Sequence, residues 1–206
     1  MKTLLFDFDG TLVDSYHLLI RCANQLNKRY GYAKIVDSES LRNKTMRQVI
    51  KEDLHISRYA VLFFARNMKS LFKKHIPDIK LHHELLPVLQ QLSKQFHLAI
   101  LSSNRQKIIQ DTLAKNQVSC FAEISSNSSL FGKDKTIKKF IKKHWLHTDD
   151  VIYIGDEIRD IEACKKIWVK IIAVSWGFNS KEALHKYNPD YLVDTPQELL
   201  EITKTF

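Results

Sequence analysis

Two aspartates one residue apart, Asp7 and Asp9, interrupt an apolar run in LLFDFDGT, residues 4–11. A carboxylate pair is costly inside a sheet, so this spacing belongs at a strand end, where a positive charge can meet it. Other apolar runs end in complementary groups. HLAILS (97–102) leads into Ser102, Ser103 and Asn104, VIYIG (151–155) leads into Asp156 and Glu157 with Asp160 close behind, and Lys133 and Lys135 open a helical stretch. Together they offer carboxylates for a hard cation such as Mg²⁺, a hydroxyl with backbone donors, and an ammonium group. That set suits a phosphoryl group. With a cation neutralising the cluster, one aspartate can stay ionised and attack phosphorus, giving an aspartyl-phosphate.

Positioning such groups requires several strands that end on one side. TLLFDF (3–8), HLAILS (97–102), VIYIG (151–155) and IIAVSW (171–176) are near-continuous apolar runs, with AEIS (122–125) and YLV (191–193) as weaker candidates. Unbroken apolar strands are expected where helices cover both faces of a parallel sheet. Helical spacing over 105–116, 133–144, 157–167 and 196–205 alternates with them, the last opened by Pro196. The fold class read from this alternation is α/β, a doubly wound parallel sheet, whose ligands sit beyond the carboxyl ends of the strands.

Residues 15–80 break the pattern, with helical stretches such as SYHLLIRCANQLNKRY and SRYAVLFFARNMKSLFKKH punctuated by Gly31 and Pro77. An all-helical block after the first strand reads as an inserted cap. The division is 1–14 and 82–206 for the core and 15–81 for the cap, with AVLFFA as the buried centre of the helix bundle.

The 206 residues can bury a sizeable core, and 44% hydrophobic with 27% charged composition is that of a soluble globular chain. Lys and Arg outnumber Asp and Glu by 32 to 23, giving +9, but the basic residues are spread along the chain without a nucleic-acid-binding signature. The charge is read as solvated helix faces that also draw in anionic substrates. Cys22, Cys120 and Cys164 are odd in number, far apart and form no CxxC, so they indicate neither a disulfide framework nor a zinc site. No run is long enough to span a bilayer, and the protein is read as cytoplasmic, with no membrane partner. The histidines form no HxH or HExxH pattern.

DFDGT, the strand ending in Ser102, Lys133 and GDEIRD resemble the four ordered motifs of the haloacid dehalogenase superfamily of phosphatases. The likeness covers nearly the whole core. The insert after the first motif is similar to the small cap of the phosphoglycolate-phosphatase-like and β-phosphoglucomutase-like branch. The resemblance implies Asp7 as nucleophile and Asp9 as the acid that protonates the leaving group and then activates water. It implies Mg²⁺ held by Asp7, the backbone carbonyl of Asp9 and Asp156, and phosphoryl oxygens bound by Ser102 and Lys133. Asp160 would support the metal shell, with Glu157 as a further acidic contributor. Ser103 competes with Ser102. The family's Lys-Pro pair is here Lys133-Asp134, so Lys135 competes with Lys133.

The activity implied is Mg²⁺-dependent hydrolysis of a small phosphorylated metabolite, phosphoglycolate-like or a sugar phosphate. Asp9 argues against a dehalogenase, because halide departure needs no proton. A phosphomutase, a phosphatase of nucleotides or nucleic-acid ends, and a phosphate-binding regulator without turnover share the same motifs. Trp176 and Gly177 border the cleft or pack beside it, while Arg42, Lys44 and Arg47 either meet an anionic part of the substrate or face solvent.

Overall fold

A computed structural model of the chain describes residues 1–57, 59–75, 79–126 and 132–206. Its centre is a parallel sheet of β1 (Thr3–Phe6), β2 (His97–Ser102), β3 (Glu123–Ser126), β4 (Val151–Gly155), β5 (Lys170–Val174) and β6 (Tyr191–Val193), in the order β3-β2-β1-β4-β5-β6. This is a doubly wound order, and it reverses at β1, between β2 and β4. The register aligns Phe6 with Ile100 and with Ile154, so β1 stops two residues short of the end of β2 and one short of the end of β4, and all three finish on the same side of the sheet.

Side-chain alternation explains the unbroken apolar runs. Leu4, Phe6, Leu98, Ile100, Ile152, Ile154, Ile172 and Val174 point into one buried cluster. Leu5, Ala99, Leu101, Val151, Tyr153, Ile171 and Ala173 point into another on the opposite face. Each large apolar side chain contributes about 1.5–3 kcal/mol when fully buried, so a slip of one residue would lose little apolarity but would misplace every strand end.

The helices are α1 (Tyr16–Tyr30), α2 (Ser38–Leu41), α3 (Met46–Gln48), α4 (Val61–His75), α5 (Leu85–Leu92), α6 (Gln106–Lys115), α7 (Lys133–Lys143), α8 (Ile158–Lys165), α9 (Lys181–His185) and α10 (Pro196–Thr203), and those after residue 84 flank the sheet. Pro196 lies in the first turn of α10 behind an N-cap Thr195, whose hydroxyl accepts from the Glu198 amide. α1 stops where Gly31 turns left-handed at φ 74° and returns its amide to the Asn27 carbonyl. Pro77, the other expected punctuation, lies outside the described residues.

The helices before residue 76 gather their own third cluster, built on Tyr16, Ala23, Leu26, Leu41, Val49, Leu54, Ile56 and Phe64. AVLFFA is not its buried centre. Phe64 is 5% exposed, but Leu62 and Phe63 are 72% and 50% exposed, because three consecutive helical positions cannot all face one side. β1 is also shorter than TLLFDF, and β5 ends at Val174 rather than Trp176.

Candidate active site

Asp7 follows the last residue of β1, and its amide still donates to the Ile154 carbonyl at 2.8 Å, which pins it against β4. The chain then turns. Leu12 and Val13 amides return to the Phe8 carbonyl, the Gly10 amide reaches the Val13 carbonyl, and Gly10 adopts φ 76°. Asp9 is thereby lifted out of the strand's alternation.

β4 ends beside this turn. Asp156, 1% exposed, accepts from the Thr11 hydroxyl at 2.6 Å through Oδ1 and from the Phe178 amide at 2.7 Å through Oδ2. Backbone walls it in: a Cβ at Gly10 or Gly177 would come within 2.1 or 2.3 Å of Asp156 Oδ2. Asp160, on the first turn of α8, is fully buried and accepts from the Glu157 amide at 3.2 Å. Lys133, the first residue of α7, donates to Asp7 Oδ2 at 2.5 Å and is ion-paired with Asp160. Lys135, the competing lysine, is exposed and packs its stem toward Gly132.

Oxygens of Asp7, Asp156 and Asp160 lie within 4.8 Å of one another. Glu157 is not in that group, because its carboxylate pairs with Arg159. The Asp9 carboxylate is not in it either. It turns toward β2, where Asn104 Nδ2 donates to Asp9 Oδ2 at 2.7 Å, and Asp9 Oδ1 is buried without a partner. Ser102, at the end of β2, accepts from the Asn104 amide at 3.1 Å. Ser103 instead offers its carbonyl to Lys69 of α4 at 3.1 Å.

The pocket is short of positive charge. Burial raises the Asp156 carboxyl well above its usual range, reinforced by Glu157, Asp160 and Asp7. Burial, then the Asp7 charge, pushes Asp9 up to about 7. Burial opposes the charge of Lys133, but Asp160 and Asp7 overrule it and hold the ammonium well above its ordinary value. Buried oxygen donors with surplus negative charge are the chemistry of a hard divalent cation, and Mg²⁺ fits them.

Lys69 reaches the site's edge at Ser103, but Arg42, Lys44 and Arg47 turn elsewhere. Arg42 donates to the Ser175 carbonyl at 3.0 Å and lies over the Tyr16 ring, Lys44 pairs with Asp53 at 2.8 Å, and Arg47 is exposed. Trp176 serves the turn after β1, its indole donating to the Thr11 carbonyl at 3.0 Å, and His82 Nε2 contacts the Gly10 carbonyl at 3.0 Å. Sequence reasoning assigned no role to Asn104, Thr11, Phe178 or Asn179. Asn104 had a legible signal, as a polar residue two positions beyond a strand end; the others depend on distant loops meeting.

Residues 4–174 match the family of haloacid dehalogenase-like hydrolases. A phosphoglycolate phosphatase of Synechococcus elongatus is 29% identical over 205 residues, which cover 98% of this chain and 96% of the relative. Among solved structures, a haloacid dehalogenase-like hydrolase of Streptococcus pneumoniae has a TM-score of 0.81 at 24% identity, with 98% of both chains covered. A structure described as a predicted phosphatase of Clostridium acetobutylicum has a TM-score of 0.84 at 23% identity, covering 100% of this chain and 99% of that one. The sheet order, the strand-end carboxylates and the match along most of the chain agree: this protein belongs to the haloacid dehalogenase-like hydrolases.

Proposed function

We propose that the protein is a Mg²⁺-dependent phosphatase of a small phosphorylated metabolite, acting through an aspartyl-phosphate on Asp7. The observation that carries this reading is the buried group of Asp7, Asp156 and Asp160 beside Lys133 at the switch point of the sheet. The name of the Synechococcus relative favours a phosphoglycolate-like substrate.

Asp7, the Asp9 carbonyl and Asp156 would hold Mg²⁺, with Asp160 supporting them, and the ion would neutralise charge on the transferring phosphoryl group. Asp7 carries the nucleophilic oxygen. Its bond to phosphorus forms as the bond from phosphorus to the ester oxygen breaks, and Asp9 gives that oxygen its proton. Asp9 then takes a proton from water, whose oxygen attacks phosphorus and returns Asp7 as a free carboxylate. The unpartnered Asp9 Oδ1 suits both roles, since no protein group competes for it. Ser102 and Lys133 bind the phosphoryl oxygens, as Lys133 exchanges part of its contact with Asp7 for substrate.

Residues 15–81 serve as a cap over a core of 1–14 and 82–206, a division supported by the separate helical cluster. Among the described residues no helix is long and apolar enough to cross a membrane. The three unpaired cysteines support a cytoplasmic setting.

The test is hydrolysis of an aryl phosphate with and without Mg²⁺. Activity should need the ion, vanish with a chelator, and fall by at least about 10³-fold in Asp7→Asn. Full activity in that variant would remove Asp7 as nucleophile.

A further inference from the structure

Three consecutive residues after β5, Gly177, Phe178 and Asn179, touch both the acidic pocket and the cap. Gly177 forms the wall against Asp156. The Phe178 amide donates to Asp156 Oδ2 at 2.7 Å, while its ring leaves the core and joins the cap cluster, 5.7 Å from the Tyr16 ring and edge-on to it. Asn179 is 1% exposed, and its main-chain amide and both polar atoms of its side chain are bonded. Its amide donates to the Asp156 carbonyl at 3.2 Å, and its Oδ1 accepts from the Ile158 amide at 2.9 Å, which fixes the start of α8. Its Nδ2 donates to the carbonyls of Arg42 and Lys44 at 3.0 and 2.9 Å. Ser180 adds a 2.8 Å bond from its amide to the Arg42 carbonyl and a 2.6 Å bond from its hydroxyl to Asn43.

We infer that Phe178 and Asn179 are positioning residues through which the seating of the cap loop 42–44 and the orientation of the Asp156 carboxylate depend on each other. The inference rests on the phosphatase reading, with Asp156 as a Mg²⁺ ligand. Phe178 has one group for each region: its amide holds the carboxylate and its ring sits among cap side chains. Asn179 links the cap carbonyls through Nδ2 to the start of α8 through Oδ1, while its main-chain amide holds the Asp156 main-chain carbonyl. A cap that lifts must withdraw the ring and break two Nδ2 bonds, and both changes pull on the segment that holds Asp156. Coupling of this kind is reciprocal, so Mg²⁺ on the carboxylate must favour the seated loop by the factor that the seated loop favours Mg²⁺.

Hydrogen exchange across residues 40–46, with Mg²⁺ as the only added ligand, tests the coupling in the wild-type protein. Exchange should slow by about fivefold or more at saturating ion. Phe178→Ala and Asn179→Ala should each weaken Mg²⁺ binding in calorimetry by about fivefold or more and abolish the effect of the ion on exchange. Neither side chain touches the ion's carboxylates, so a tether without coupling would speed exchange in the loop and leave Mg²⁺ affinity alone. If Phe178→Ala does not fold, Asn179→Ala and the wild-type exchange decide the question. Exchange indifferent to Mg²⁺, or variants that bind it within about twofold of wild type, would overturn the inference while the wild type still hydrolyses aryl phosphate. A wild type that binds no Mg²⁺ would overturn the phosphatase reading and the coupling together.

Discussion

From Thr3 to Phe6 every residue of β1 is buried and paired with a strand on either side, whereas along α4 a buried Phe64 stands next to an open Leu62 and a half-open Phe63. The strand is fixed by a ladder of backbone bonds and by packing on two faces, so the groups at its end are placed to within the tolerance of the ladder. The cap helix has only a single apolar stripe against its neighbours. Chemistry that needs carboxylates a few ångströms apart sits on the first kind of element, and the less tightly held second kind has more room to shift.

The contrast breaks if changes in the two regions have the same consequences. The largest effect outside the nucleophile is expected from Asp9→Asn, which keeps the side-chain shape but cannot donate and recover a proton. Turnover of an alkyl phosphate should fall about 10²–10⁴-fold, and an aryl phosphate with a good leaving group should suffer less. Equal losses on both esters would deny Asp9 its acid role.

Phe64→Ala comes next, with a stability loss of about 3–5 kcal/mol by chemical denaturation. Its signature is regional: amide exchange should quicken over α1 and α4 while β1, β2 and β4 keep their protection. A matching loss of protection in the strands would mean that the clusters are one cooperative unit. The smallest effect belongs to Leu62→Ser, which should shift stability by no more than about 0.5 kcal/mol, because the side chain is already in water. A larger loss would point to a covered face.

The same contrast explains what could be read from the sequence. β2, β4 and β6 match their apolar runs residue for residue, and α7 begins at Lys133 where the helical spacing begins. Strands buried on both faces, such as β2 and β4, announce themselves, and Ser102 and Asp156 stand at or just past their ends. α5 escaped notice because LLPVLQQL carries Pro87 in its first turn and no cap signal before it. Glu157 was expected as a further acidic contributor; its charge reinforces the raised Asp156 carboxyl, while its carboxylate pairs with Arg159 and stands outside the group of three aspartates. Asn179 could not be found at all. Its partners lie at Ile158, Arg42 and Lys44, and no local spacing encodes a meeting of three separate segments.

Asp156 has no freedom left to lose. Both its oxygens are engaged, and main chain at Gly10 and Gly177 closes on it from two directions. The entropy of freezing this rotamer is therefore charged to folding, and an arriving ion meets a ligand already aimed. Heating or denaturant that loosens either glycine-bearing loop should erode ion affinity before the sheet itself melts.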